Sequence, residues 1–173
     1  MTGGKIMNKN FDKIFSLMQA SFPEEEFRDY EGQKKLLDNP KYSITARFFG
    51  SEDLVGFISF WLLDGFNFIE HFAVSPSQRG QGTGSKMLKE FIKNSNKPVV
   101  LEVELPENEM AERRIRFYER NGFLLNTFEY YQKPLRPECS EVKLYLMSYP
   151  KKLSNKEFEH VKNEIYNNVY KSV

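Results

Sequence analysis

Cysteine occurs once in this 173-residue sequence, at Cys139, so no disulfide can form within the chain and a reducing, cytoplasmic setting is expected. Histidine occurs twice, which with one cysteine leaves too few of the usual ligands for a zinc site; no metal is expected. No apolar run approaches the roughly 18–20 residues needed to span a bilayer. Residues 1–7 lack the apolar stretch of a secretory signal, and Met7 is a second candidate for the native start. An excess of one charge is missing too. Twenty-five basic against 24 acidic side chains leave +1, without the basic surplus of a duplex-binding protein, so neither nucleic acid nor membrane is an expected partner.

Aromatic residues, by contrast, reach 15%, which argues for a packed interior and against disorder. Phe11, Ile14, Phe15 and Met18 recur at helical spacing within 10–21, and Phe22-Pro23 ends that run. The acidic connector Glu24-Glu25-Glu26 leads to a second helix near 30–37, stopped by Asp38-Asn39-Pro40. Strands are expected at 42–49, 54–63 and 66–74. A turn at 50–53 joins the first two, and the hairpin signal Asp64-Gly65 joins the last two. A helix over 83–94 carries Met87, Leu88, Phe91 and Ile92 as one stripe. A strand at 99–105 follows, then a helix at 110–121 closed by Gly122. Two last strands, 123–131 and 142–148, flank the loop 133–140. A terminal helix over 154–170 has Ser154 as N-cap and Glu157 completing a capping box. The order α-α-β-β-β-α-β-α-β-β-α describes one mixed α/β domain over 1–173.

Between the third strand and the third helix lies Arg79-Gly80-Gln81-Gly82-Thr83-Gly84. Alternating glycines let the backbone bend so that consecutive N–H groups converge on an anion, and the helix behind them adds unpaired N–H groups and a partial positive charge. Arg79 and Lys86 add charge; the plain alternative is a flexible connection. A nucleoside-triphosphate loop would end in Lys-Ser/Thr, and here Ser85-Lys86 reverses that order. A dinucleotide fingerprint needs a third glycine at a spacing that neither Gly80-x-Gly82 nor Gly82-x-Gly84 provides.

The stretch from Phe72 to Gly84 closely resembles the acetyl-CoA-binding motif of the GNAT N-acetyltransferases, Arg/Gln-x-x-Gly-x-Gly/Ala. Arg116-Phe117-Tyr118-Glu119-Arg120-Asn121-Gly122-Phe123 resembles that family's second signature, and the resemblance covers about 10–148, leaving the terminal helix outside. It implies a central mixed, mostly antiparallel sheet flanked by helices. The family's strands 4 and 5 (here 66–74 and 99–105) splay at the coenzyme site. The implied activity is transfer of an acetyl group from acetyl-CoA to a small-molecule or peptide amine, by direct attack through a tetrahedral intermediate, in a monomer or homodimer. A non-catalytic acyl-CoA-binding or sensing domain is the alternative, and a nucleotide-dependent enzyme is disfavoured by the loop.

Such chemistry needs a deprotonated amine, donors for an oxyanion and a proton for the departing thiolate. The resemblance implies coenzyme contacts at Phe72, Ala73, Val74, Arg79, Gly80, Gln81, Gly82, Thr83, Gly84 and Ser85, with the Val74 amide polarising the carbonyl. It implies Tyr118 as both coenzyme neighbour and acid, and helical spacing turns Tyr118 inward with Ala111 and Ile115. For the base, Glu70 shares strand phase with Phe72 and Val74; Glu102, Glu104 and water are its rivals, and each carboxylate is equally placed to pair with an arginine of 113–120. His71 faces the other way, toward a structural role. Where the family commonly has Asn and Ala, seven and four residues before the tyrosine, this chain has Ala111 and Arg114; Asn108, a turn earlier, is the substitute considered for the coenzyme's arm. Phe22, Phe27, Tyr30, Trp61, Tyr130, Tyr131 and Tyr145, with the acidic run at 24–26, fall on segments that build the acceptor groove in such proteins.

Overall fold

A computed structural model describes residues 8–50 and 52–171; the N-terminal reading of 1–7 and Ser51 of the first turn lie outside them. Every expected helix and strand is present, in the expected order: α1 (Asn8–Ser21), α2 (Tyr30–Lys35), β1 (Tyr42–Phe49), β2 (Asp53–Leu62), β3 (Asn67–Val74), α3 (Thr83–Asn94), β4 (Val99–Glu104), α4 (Glu109–Arg120), β5 (Leu124–Gln132), β6 (Val142–Tyr149) and α5 (Asn155–Ile165). The acidic connector is a short 3-10 turn, Glu24–Glu26. Past Ile165 the terminal helix changes to a π-turn, Tyr166–Tyr170, which periodicity does not foretell. Among the described residues no helix is long and apolar enough to cross a membrane.

The six strands form one sheet in the order β1-β2-β3-β4-β6-β5. All neighbours run antiparallel except β3 and β4, whose parallel pairing covers only Asn67↔Val99, Phe68↔Val100 and Ile69↔Leu101. Beyond Ile69 the two strands separate: β3 continues against β2 as far as Val74, and β4 continues against β6 as far as Glu104. The sheet is therefore split from its middle outward, as the resemblance implies.

Apolar side chains cover both faces. Ile58, Ile69, Leu101 and Val103 meet Leu88 of α3 and Ile115 and Tyr118 of α4. On the other face Phe57 and Ala73 pack against Phe11, Ile14 and Met18 of α1, while Trp61, Phe68, Val100 and Leu146 pack against Phe158, Val161 and Ile165 of α5. Gly56 allows α3 to lie close, since a Cβ there would stand 2.7 Å from the Ala73 carbonyl oxygen and 3.1 Å from the Met87 sulfur.

Candidate active site

The glycine loop leaves β3 through a turn at Pro76–Gln78 and enters α3 at Thr83. Gly80 and Gly82 both have φ +75°, a left-handed backbone that side chains rarely adopt, and a Cβ on either would meet nothing within 4 Å. The loop surface is thus open. Among the described residues none of the amides from Gly80 to Ser85 donates to a protein acceptor; the first donor behind them is Lys86, to the Gly82 carbonyl at 3.0 Å. Six unpaired amides at the start of a 12-residue helix fit a diphosphate. Arg79 is tied back by its Nε, which donates to the Val74 carbonyl at 3.0 Å.

The end of β3 supplies further free donors. Ser75 N donates to Val55 of β2 at 2.9 Å, so by strand alternation the amides of Phe72 and Val74 point away from β2, into the split. A bulge lies upstream: Ser59 pairs with His71 and Phe60 with Ile69, leaving Glu70 as the extra residue. This corrects the expected strand phase. Phe72 remains on the α3/α4 face, 6.2 Å from Phe117, whereas Glu70 reaches across to Trp61 and Arg28.

Around the split lies a narrow cavity of about 50 Å³ whose lining comes from both faces of the sheet, including Phe72, Tyr118, Glu70, Glu102, Glu26 and Tyr170. Tyr118 enters from α4, whose buried residues are Ala111, Ile115 and Tyr118 as expected. Gly122, at φ +90°, ends that helix: its N–H donates to Glu119 and that of Phe123 to Tyr118, and the Phe123 ring then rests 5.6 Å from the tyrosine ring. The Gly-Phe of the second signature is thus the helix stop that clamps Tyr118. Its hydroxyl has no hydrogen-bond partner among the described residues, and burial pushes its pKa up to about 12.

The carboxylates differ sharply. Both oxygens of Glu70 are engaged, Oε1 by Arg28 Nη1 at 2.7 Å and Oε2 by Trp61 Nε1 at 2.9 Å, and its side chain is 5% exposed. Burial acts to raise its pKa, but Arg28 above all, with His71 and the two hydrogen bonds, carries it below the usual value. Glu102 accepts from Tyr130 and Tyr170 hydroxyls on one oxygen, Oε1, each at 2.5 Å. Among the described residues no bond takes its Oε2. Burial raises it to about 7, against the two tyrosine hydrogen bonds, which lower it; Glu70 and Glu26 raise it further. Glu26 also stands at about 7, through burial first and then Glu104. Glu104 lies 3.6 Å from Arg114, so of the three strand carboxylates only this one pairs with the α4 arginines.

His71 is buried and kept neutral by that burial: its Nε2 donates to the Glu26 carbonyl at 2.7 Å and its Nδ1 accepts from Ser59, so its role is structural. Asn108, considered for the coenzyme's arm, is exposed and spends its Oδ1 as the N-cap of α4, accepting from Ala111 N at 2.9 Å. Of the aromatic set, Phe22 lines the cavity and Trp61 and Tyr130 hold carboxylates, whereas Phe27 is core and Tyr30 bonds Asp12 outside. Arg28 and Tyr170 were not legible beforehand: neither sits in a motif, and each acts on a carboxylate far away in sequence.

An open, amide-lined loop at a helix start beside a split sheet, with a clamped phenol and carboxylates at the opening, defines an acyltransferase. The chain belongs to the acetyltransferase (GNAT) family, whose model matches residues 10–123. It is 30% identical over 160 residues to a Bacillus subtilis (strain 168) protein given the provisional name acetyltransferase YjbC, covering 90% of this chain and 80% of that one. A solved structure from Bacteroides thetaiotaomicron, also provisionally named a GNAT-family acetyltransferase, superposes with a TM-score of 0.86 at 34% identity, over 94% of this chain and 92% of that one. Escherichia coli ElaA, at 16% identity and a TM-score of 0.61 over 86% and 95% of the chains, shares the fold.

Proposed function

We propose that this acetyltransferase moves an acetyl group from acetyl-CoA directly to the nitrogen of an amine, with Tyr118 as acid and Glu102 as base. The observation that carries the reading is the cavity through the split, where an unpartnered phenol from the α4 side meets a carboxylate with a free oxygen from the α5 side. Acetyl-CoA, when bound, supplies the activated acyl group. The amides of Gly80 to Ser85 and the charge of Arg79 would hold its pyrophosphate, and the backbone of Phe72, Ala73 and Val74 its arm. The Val74 amide, directed into the split, is the donor for the oxyanion.

Tyr118, at about 12, keeps its proton at neutral pH and can deliver it to a departing thiolate. Glu70, the base suggested by sequence, has neither a free oxygen nor a raised pKa; we assign it to holding Arg28 and Trp61 in place beside the cavity. Glu102 has the free oxygen and the raised pKa. A base at about 7 instead of 4.5 lowers the cost of deprotonating an alkylammonium (pKa near 10.4) by up to about 3 kcal/mol.

The test is release of coenzyme thiol across a panel of amines. Turnover is expected with at least one primary amine, and Glu102→Gln should remove the acid limb near pH 7. Tight acetyl-CoA binding without turnover on any amine would overturn the proposal in favour of a binding or sensing domain.

A further inference from the structure

The terminal helix lies beyond the residues matched by the family model, yet its end reaches the cavity. The buried stripe of α5 is Phe158, Val161 and Ile165. In a continuing α-helix, Tyr170 would lie about 140° around the axis from Ile165. The wider π-turn brings it back toward that stripe, and Val169 and Tyr170 are both buried. Three bonds hold it there. Tyr166 donates to the Tyr131 carbonyl at 2.6 Å, Arg28 Nη2 donates to the Val169 carbonyl at 2.7 Å, and Tyr170 donates to Glu102.

Both ends of this arrangement meet carboxylates of the site. Through Val169 the turn anchors the guanidinium that engages Glu70. Through Tyr170 it occupies Oε1 of Glu102, the same atom that Tyr130 of β5 engages. With both donors on one oxygen, the carboxylate cannot rotate freely; among the described residues nothing bonds its other oxygen, and Glu102 lines the cavity. We infer that the terminal π-turn is a working part of the acceptor site, with Tyr170 the positioning residue that presents Glu102 to the incoming amine.

The inference rests on the proposed role of Glu102, but its central measurement does not require turnover. The charged and titratable groups around Glu102 are Glu70 on β3, Glu26 on the connector, Tyr130 on β5 and Tyr170 itself, with Glu104, Arg114 and Tyr118 sharing the cavity and Arg28 and Tyr166 behind. Of these, only the two hydroxyls donate directly to the Glu102 carboxylate, which favours its ionised form. Removing one should raise its titration midpoint while leaving the ring in place.

In the coenzyme-free protein, carboxyl-carbon NMR, with Glu102→Gln for assignment, reads that midpoint directly. Tyr170→Phe should move it up by about one pH unit, and the acid limb of kcat/KM should move with it at unchanged acetyl-CoA affinity. A 3-fluorotyrosine at position 170, a stronger donor of nearly the same shape, should move both down. An unmoved Glu102 midpoint in both proteins, or a lower melting temperature as the only change, would make the turn a structural staple and overturn the inference. A shifted midpoint in a protein that acetylates no amine would support the positioning while refuting the proposed reaction.

Discussion

Glu70 and Glu102 are the same side chain on adjacent strands of the split, and their surroundings part them. An arginine and an indole N–H saturate Glu70 and favour its charge. Burial above all, then the neighbouring carboxylates, lets Glu102 regain its proton easily against the two hydroxyls, which both bond its Oε1 and favour its charge. Glu70→Gln should strand the buried Arg28 charge and cost about 3–5 kcal/mol in chemical denaturation, a loss of the kind seen when one partner of a buried pair is removed. Tyr118→Phe should lower kcat by about 100-fold, the low end of general acid catalysis, with acetyl-CoA affinity unchanged by calorimetry. An unaltered kcat would remove Tyr118 from the acid role. The resemblance alone suggested Tyr118 as acid, and its inward direction was legible because the stripe Ala111, Ile115, Tyr118 is local; the bonding of Glu70 was not, because its bulge exists only in the register of β2 against β3.

At the scale of elements, the glycine loop divides into positions with different demands. Gly82 sits at φ +75° on the open surface of the cradle. Gly82→Glu should therefore abolish the thermal shift with acetyl-CoA, by backbone strain and by a carboxylate where a diphosphate belongs. Gly84 differs: its Cβ would stand 3.4 Å from Phe117 and 3.6 Å from Val74, ordinary contact, so Gly84→Ala should keep most of the shift. Retention of the full shift in Gly82→Glu would count against the cradle. For the parent, ligand at 100 times its dissociation constant should add about 2.7 kcal/mol of stability. Helix and strand boundaries were readable here to within a residue or two, since capping and hairpin chemistry act over a few residues: Ser154 and Glu157 do form a capping box, and Gly122 does end α4. The π-turn was not readable, because it is held by Arg28, Tyr131 and Glu102, all more than 30 residues away.

For the whole molecule, the site makes stability depend on pH. Glu102 and Glu26, near 7 in the fold and near 4.5 unfolded, impose no cost below about pH 4.5, where both states are protonated. Between 4.5 and 7 the folded chain binds more protons, so their contribution falls as pH rises. Glu70 acts oppositely: its contribution is present above 4.5 and lost as pH falls through its lowered folded value. His71, lowered by burial, contributes above 6.5 and less below, partly offsetting the two raised carboxylates near neutrality. Glu102→Gln should accordingly raise the melting temperature of the coenzyme-free protein at pH 8 and leave it nearly unchanged at pH 4.5. An equal change at both would show that Glu102 titrates as an ordinary carboxylate.

By itself the sequence determined the element order, the glycine-rich connection and the helix stop beneath Tyr118, because periodicity, caps and glycine backbone preferences act between near neighbours in the chain; the family came from the likeness of two motifs to known signatures. Only the tertiary structure decided which carboxylate is neutralised by Arg28, which keeps an oxygen without a described partner, and that the turn Tyr166–Tyr170 reaches Glu102. A side chain's charge state follows from burial and from partners brought together through space, and linear spacing carries no record of either.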